Sequence, residues 1–109
     1  MTPASDPAAH WHRVAAVDSL APGQCRTVQA AGHELALMNL DGTFFAIDNE
    51  CSHKGAPLGA GHVENGCVYC PLHGWAFDVK TGACRSNPEK PVKSYPTKVE
   101  AGEVWVAIG

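Results

Sequence analysis

No two basic residues stand side by side in this sequence: all eight Lys and Arg are isolated, and the formal net charge is -3. The chain therefore lacks the clustered positive charge that a phosphate backbone or an anionic membrane surface would attract, and nucleic acid is not an expected partner. No stretch approaches the roughly 20 apolar residues needed to cross a bilayer, so a membrane span is not expected either. Residues Met1 to Ala9 contain Pro3, Pro7 and one acid, and have neither the basic nor the apolar part of a secretory signal. They read as a flexible arm, and the expected location is cytoplasmic. A nucleophile with its base, a carboxylate dyad and a phosphate-cradling glycine loop are all missing too, so an enzyme with its own substrate pocket is not expected.

What is present is ordinary for a folded domain: 109 residues, 45% of them apolar and 17% charged. That length supports one domain with a modest core, expected over residues 10–109. Five cysteines are an odd number. In a reducing compartment they argue against a disulfide framework and for metal ligation by some of them.

Most of the chain reads as short strands separated by turns. Residues His10 to Val17 are expected to form a first strand, although Trp11, Val14, Ala15 and Val17 follow no clear period. Cys25 to Gln29 and Glu34 to Leu40 are expected to pair across the loop Ala30-Ala31-Gly32. Asp41-Gly42, before the aromatic and β-branched run Thr43 to Asp48, predicts a tight hairpin, because both turn positions tolerate positive φ. Asn65-Gly66 predicts another, between His62-Val63-Glu64 and Cys67 to Cys70. Trp75 to Asp78 and Ala83-Cys84 read as short strands around Lys80-Thr81-Gly82, whereas Ser86 to Pro91 is bounded by prolines and cannot join a central sheet. The segment Val92 to Val99 turns at Ala101-Gly102 into a closing strand in which Val104, Val106 and Ile108 alternate. No longer segment keeps a helical period and no internal repeat is evident. The expected fold is all-β, an antiparallel sandwich or small barrel.

The chemistry concentrates in two loops, Cys51-Ser52-His53 and Cys70-Pro71-Leu72-His73, each beside glycine and each offering one thiol and one imidazole. Chance proximity is one reading, made improbable by the matched pairs. A tetrahedral zinc site is a second, since two thiolates and two imidazoles satisfy zinc. Zinc fingers, however, group thiol with thiol and imidazole with imidazole, whereas each pair here mixes them. The third reading is a 2Fe-2S cluster with two thiolates on one iron and two imidazoles on the other.

Cys51-x-His53, a spacer of sixteen residues and Cys70-x-x-His73-Gly74 resemble the Rieske motif. The similarity runs on through Trp75-Ala76-Phe77-Asp78, Thr81-Gly82 and the Pro88 loop toward the soluble Rieske ferredoxins and the small subunits of assimilatory nitrite reductases. It implies a Rieske-like β-sandwich with a small cluster-binding part, about residues 49–85, formed by the two ligand loops. It also implies that Cys51 and Cys70 bind the inner iron of one 2Fe-2S cluster and that His53 and His73 bind the outer iron near the surface. Neutral imidazoles in place of two thiolates lower the negative charge of such a cluster and raise its potential. By the same resemblance the function is one-electron transfer, from a flavin-containing reductase to a terminal, aromatic-ring hydroxylating oxygenase, by a protein that is monomeric when isolated and not itself an enzyme. An alternative is the small subunit of a nitrite reductase, bound to its large subunit; Lys93 to Val99 carries that likeness. A zinc-stabilised interaction module is the alternative from another class.

Respiratory Rieske proteins place an additional, disulfide-linked Cys where this chain has Ala56 and Leu72, and a hydroxyl residue where it has Trp75 and Phe77. With fewer hydrogen bonds to sulfur, the potential is expected toward the low end of the roughly -150 to +300 mV Rieske range. Cys25, Cys67 and Cys84 read as small buried apolar residues, and His10, His12, His33 and His62 as surface residues. Pro88 and Pro91 bound a loop expected to shield the centre, and Lys54 stands where it could meet an acidic partner.

Overall fold

The computed structural model describes residues 10–52 and 55–108. The arm read at residues 1–9 lies outside the described residues, as do His53, Lys54 and Gly109. Among the described residues, ten strands make three antiparallel sheets. The first orders β1 (His10–Ala16), β10 (Glu103–Ile108) and β9 (Thr97–Glu100); the second orders β2 (Cys25–Ala30), β3 (His33–Leu40), β4 (Thr43–Asp48) and β8 (Ser94–Tyr95); the third orders β5 (His62–Glu64), β6 (Cys67–Tyr69) and β7 (Ala76–Asp78). Two three-residue 3-10 turns, at Val17–Ser19 and Leu58–Ala60, are the helical elements among the described residues. None is long or apolar enough to cross a membrane.

The second sheet is covered on both faces, and β3 shows it best. Leu35 and Leu37 enter a core shared with Val104, Val106 and Ile108 of β10, while Ala36 and Met38 enter a second core with Leu58, Val68, Phe77 and Val79. A strand buried on both faces needs apolar side chains at every position, which is why Leu35 to Leu40 reads as a nearly continuous apolar run. Two cores on opposite faces of one sheet also fix where the site lies. The second core holds Cys51 and Cys70.

The lack of a clear period in β1 has a structural cause: the pairing with β10 shifts register between Arg13 and Ala15, so Val14 sits in a bulge. The tail differs from one continuous strand. Pro96 has no N–H to give a ladder, and the chain changes sheets there, β8 pairing with β4 and β9 with β10. Ala83-Cys84 is likewise reduced to a single bridge, Phe77 to Cys84.

Four two-residue turns put both central residues at positive φ: Ala31-Gly32, Asp41-Gly42, Asn65-Gly66 and Ala101-Gly102. Asp and Asn adopt this conformation easily, whereas alanine at φ 51 or 55 carries a steric penalty. Replacing Ala101 by Asn is therefore expected to stabilise the protein by about 0.5–1 kcal/mol. Thermal unfolding checks it, with a midpoint rise of about 3–6 °C expected for a domain of this size.

Candidate metal centre

The two ligand loops are closed by the same pair of backbone hydrogen bonds. In the first, the N–H of Cys51 donates to the carbonyl of Ala56 at 2.9 Å and the N–H of Gly55 donates back to the carbonyl of Cys51 at 2.8 Å. In the second, the N–H of Cys70 donates to Trp75 at 2.8 Å and that of Gly74 to Cys70 at 2.9 Å. The neck below each turn matches as well, since the bridge Glu50 to Pro57 corresponds to the pair Tyr69 to Ala76. Gly55 and Gly74 both take positive φ, 75° and 73°, where a side chain would be strained. This is a short structural repeat, and it escaped the sequence because only the cysteine and the glycine recur.

The histidines do not follow the repeat. His53 comes two residues after its cysteine and His73 three after, so Leu72 holds the position that corresponds to His53. Cys51 and Cys70 are 2% and 3% exposed and belong to one core with Leu58, Val68, Phe77 and Cys84. Pro71, Leu72, His73 and Gly74 are exposed at the tip of the second loop. The structure thus brings the two thiols together inside and carries His73 outward. His53 cannot be placed, being outside the described residues.

Asn49, buried at the start of the first loop, holds that loop's neck. Its carbonyl accepts from the N–H of Leu58 at 2.6 Å. Its Oδ1 accepts from the N–H of Gly59 at 2.8 Å and from the hydroxyl of Thr27, on β2, at 3.0 Å. A Cβ on Gly59 would stand 2.4 Å from Thr27 Oγ1 and 2.5 Å from the Thr27 nitrogen, so the 3-10 turn rests directly on the β2 backbone. Cys25, half-buried rather than fully buried, points its thiol at the carbonyl of Gly61, 3.2 Å away. Burial pushes that thiol's pKa up, which suits a neutral donor. None of these anchors was apparent from sequence, because their partners lie 9 to 36 residues away.

Two carboxylates of the described residues are held on the strands that flank the two loops, Asp78 on β7 and Asp48 on β4. Burial alone would raise the Asp78 carboxyl, but the N–H of Lys80, the Arg85 guanidinium at 3.2 Å and the N–H of Thr81 outweigh it and hold the carboxyl below its ordinary range. Tyr95 donates to Asp48 at 2.6 Å, and burial followed by that carboxylate pushes its phenol well above the usual value. The pair ties β8 to the end of β4, just ahead of the first ligand loop.

The family profile for the Rieske [2Fe-2S] domain matches residues 10–96. The chain belongs to that family. It is 36% identical over 102 residues to the anthranilate 1,2-dioxygenase ferredoxin subunit of Burkholderia cepacia, covering 93% of this chain and 94% of the relative. Among solved structures it superposes on a chain in the complex of reduced oxygenase and oxidized ferredoxin of carbazole 1,9a-dioxygenase. There the TM-score is 0.81 and the identity 35%, over 89% of this chain and 92% of the other. A protein assigned as an NADH-dependent nitrite reductase small subunit of Mycobacterium tuberculosis gives a TM-score of 0.87 at 30% identity, over 93% and 96%.

The Rieske chain carries one 2Fe-2S cluster, which sets the zinc-stabilised module aside. The donors present fit that group. Two anionic sulfurs need a dry pocket, and Cys51 and Cys70 lie in one; an imidazole edge suited to pass an electron needs the surface, and His73 has it. A two-iron group of this kind takes its protein ligands in pairs, two thiolates and two imidazoles. Cys67 and Cys84 are buried as expected, and none of the five cysteines forms a disulfide. His10, His33 and His62 are exposed and His12 is half-buried; His62 stacks on Tyr69 with centroids 4.9 Å apart.

Proposed function

We propose that this Rieske protein is a one-electron carrier that takes electrons from a flavin-containing reductase and delivers them to a terminal oxygenase acting on an aromatic ring. Cys51 and Cys70 are the ligands of the inner iron and His53 and His73 those of the outer iron. The observation that carries the reading is the division of donors between a closed core and an exposed loop tip. When bound, the cluster accepts and returns a single electron; the chain supplies the ligands, the dry core and the face on which a partner docks. Support for the partner comes from the relatives, which include a dioxygenase ferredoxin subunit and a ferredoxin in complex with its oxygenase.

Leu72, 57% exposed beside His73, gives that face an apolar contact point. In a reconstituted chain of reductase, carrier and oxygenase, Leu72→Ser is expected to raise the carrier concentration needed for half-maximal turnover about tenfold. The absorption spectrum should stay unchanged. An unaltered concentration dependence would remove Leu72 from the contact. The nitrite reductase small subunit is the second reading, favoured by the TM-score of 0.87. A diffusing carrier should elute as a monomer on size exclusion, whereas a permanent subunit should co-purify with a sirohaem enzyme and bury an apolar face in it.

The potential should lie below about +100 mV within the Rieske range. Phe77, fully buried in the same core as Cys51 and Cys70, has no hydroxyl to offer a sulfur. Phe77→Tyr adds one. A neutral hydrogen bond contributes about 0.5–1.5 kcal/mol, and a tenfold change in a one-electron equilibrium is about 59 mV. The midpoint is expected to rise by about 20–60 mV in a redox titration. An unchanged or lower midpoint would show that the missing hydroxyl does not set the potential.

A further inference from the structure

Strand β2 touches the segment that carries the first ligand loop, residues 49–61, at both of its ends. Cys25 and Thr27 stand two residues apart on β2 and so share one face of it. The hydroxyl of Thr27 donates to Asn49 at the start of the segment, and the thiol of Cys25 points at the carbonyl of Gly61 at its end, 3.2 Å away. The carbonyls of Gly59 and Leu58 stand 3.6 and 3.9 Å from the same sulfur. Three oxygens of one turn thus face a single S–H, with that of Gly61 nearest. Cys25 also packs against the core that holds Cys51 and Cys70. The burial that raises its pKa keeps on the sulfur the proton this contact uses.

Gly61 meets the second ligand loop on its other side. Its φ of -81° and ψ of -156° are extended backbone that any residue adopts, so conformational freedom does not explain the glycine. Space does. A Cβ on Gly61 would stand 1.9 Å from the carbonyl oxygen of Tyr69 and 3.1 Å from its carbon. Tyr69 precedes Cys70 and pairs with Ala76 in the neck of the second loop, so the end of one loop is pressed against the neck of the other. The N–H of Gly61 donates to Leu58 at 3.0 Å, and the Leu58 side chain is fully buried in the core of the two thiols. Cys25, Gly61 and Tyr69 are thereby in contact in series, from β2 through the first loop to the second.

We propose that Cys25 is a positioning residue whose thiol holds Gly61 against the neck of the second loop and so sets the spacing at which Cys51 and Cys70 meet the inner iron. The inference rests on the ligand assignment made under Proposed function. The backbone hydrogen bonds that close each loop join it only to itself. They shape a loop without setting its distance from the other, whereas the joint at Gly61 fixes that distance against β2.

The test uses the cluster-loaded protein and its Cys25→Ala, Cys25→Ser and Gly61→Ala variants. Loss of one weak neutral hydrogen bond is expected to increase local opening about threefold. In Cys25→Ala, hydrogen exchange read by mass spectrometry should accelerate by about that factor at residues 57–61 and also at residues 67–75, across the joint. The Rieske-type EPR signal, which follows ligand geometry, should broaden. Cys25→Ser, which keeps a donor, should bring exchange and line shape back toward wild type. Gly61→Ala should exceed Cys25→Ala in both readouts, because its Cβ displaces the neck directly; should it not fold, the two Cys25 variants decide. Acceleration confined to residues 57–61 with an unchanged EPR line would make Cys25 a local packing contact and overturn the proposal. A Ser variant that behaves like Ala would overturn the donor's part, and a Gly61→Ala protein that behaves as wild type would overturn the joint. A wild-type protein without a Rieske-type EPR signal would overturn the ligand assignment and this inference together; an intact wild-type signal with a silent Cys25→Ala overturns this inference alone.

Discussion

Cys70→Ala is expected to be colourless and to show no Rieske-type EPR signal, while Cys84→Ala keeps both. The two cysteines make a stringent pair. They are 3% and 2% exposed and sit in the same core, so burial and cavity effects are closely matched. Each substitution removes a sulfur from a packed interior, and a cost of about 1–2 kcal/mol is expected from that alone. Their backbone settings differ. Cys70 opens a turn closed by Gly74 and repeated at Cys51, whereas Cys84 stands at an isolated bridge opposite Phe77 and accepts a hydrogen bond from the N–H of Asn87. Only the first setting presents a thiol at the head of a glycine-closed loop, matched by a second such loop. Cys70→Ala should lose additional stability because bound metal contributes folding free energy, and that excess should vanish when both variants are compared after removal of iron. A Cys70→Ala protein that keeps its signal, or a Cys84→Ala protein that loses it, would refute the assignment of thiols.

The candidate donors stand out in the sequence because their chemistry is local: a thiol and an imidazole two or three residues apart, in loops marked by glycine, can be read from the chain itself. The turns were legible for the same reason. Asp41-Gly42 and Asn65-Gly66 carry their conformation in their own side chains, and the structure puts all four residues at positive φ. What stayed hidden depends on distant partners. The nearly continuous apolar character of Leu35 to Leu40 offered no alternation by which to assign one buried face, and the presence of a core on each face of β3 explains it. The bulge at Val14 is set by its pairing with β10, at the other end of the chain. Similarly, nothing beside Cys25 or Asn49 announces that one holds Gly61 and the other closes a neck at Gly59. Sequence thus exposes the groups that do chemistry, whereas the groups that hold them still are defined by tertiary contacts.

Asn49→Ala should reveal how much of the centre's integrity comes from those contacts. The substitution leaves two donors without their acceptor: the N–H of Gly59, in a buried setting, and the hydroxyl of Thr27, on an exposed residue that water can reach. The stranded buried N–H costs about 1–3 kcal/mol, so a loss of about 2 kcal/mol is expected. For a domain of this size, the iron-free protein should unfold about 10 °C lower. Thr27→Val removes only one of the two side-chain bonds and keeps the shape, so it should cost about 1 kcal/mol. Gly59→Ala approaches the same joint from the other side: its Cβ would meet the Thr27 backbone at 2.5 Å, and the 3-10 turn must lift from β2 to make room. All three variants should bleach faster than wild type, in the order of their stability losses, because the neck that Asn49 closes is the one that carries Cys51 into the core. Reversal of the order between Asn49→Ala and Thr27→Val would move the anchor away from Asn49. An Asn49→Ala protein that unfolds and bleaches as wild type does would place the anchorage of the first loop in its metal ligands rather than in the protein fold.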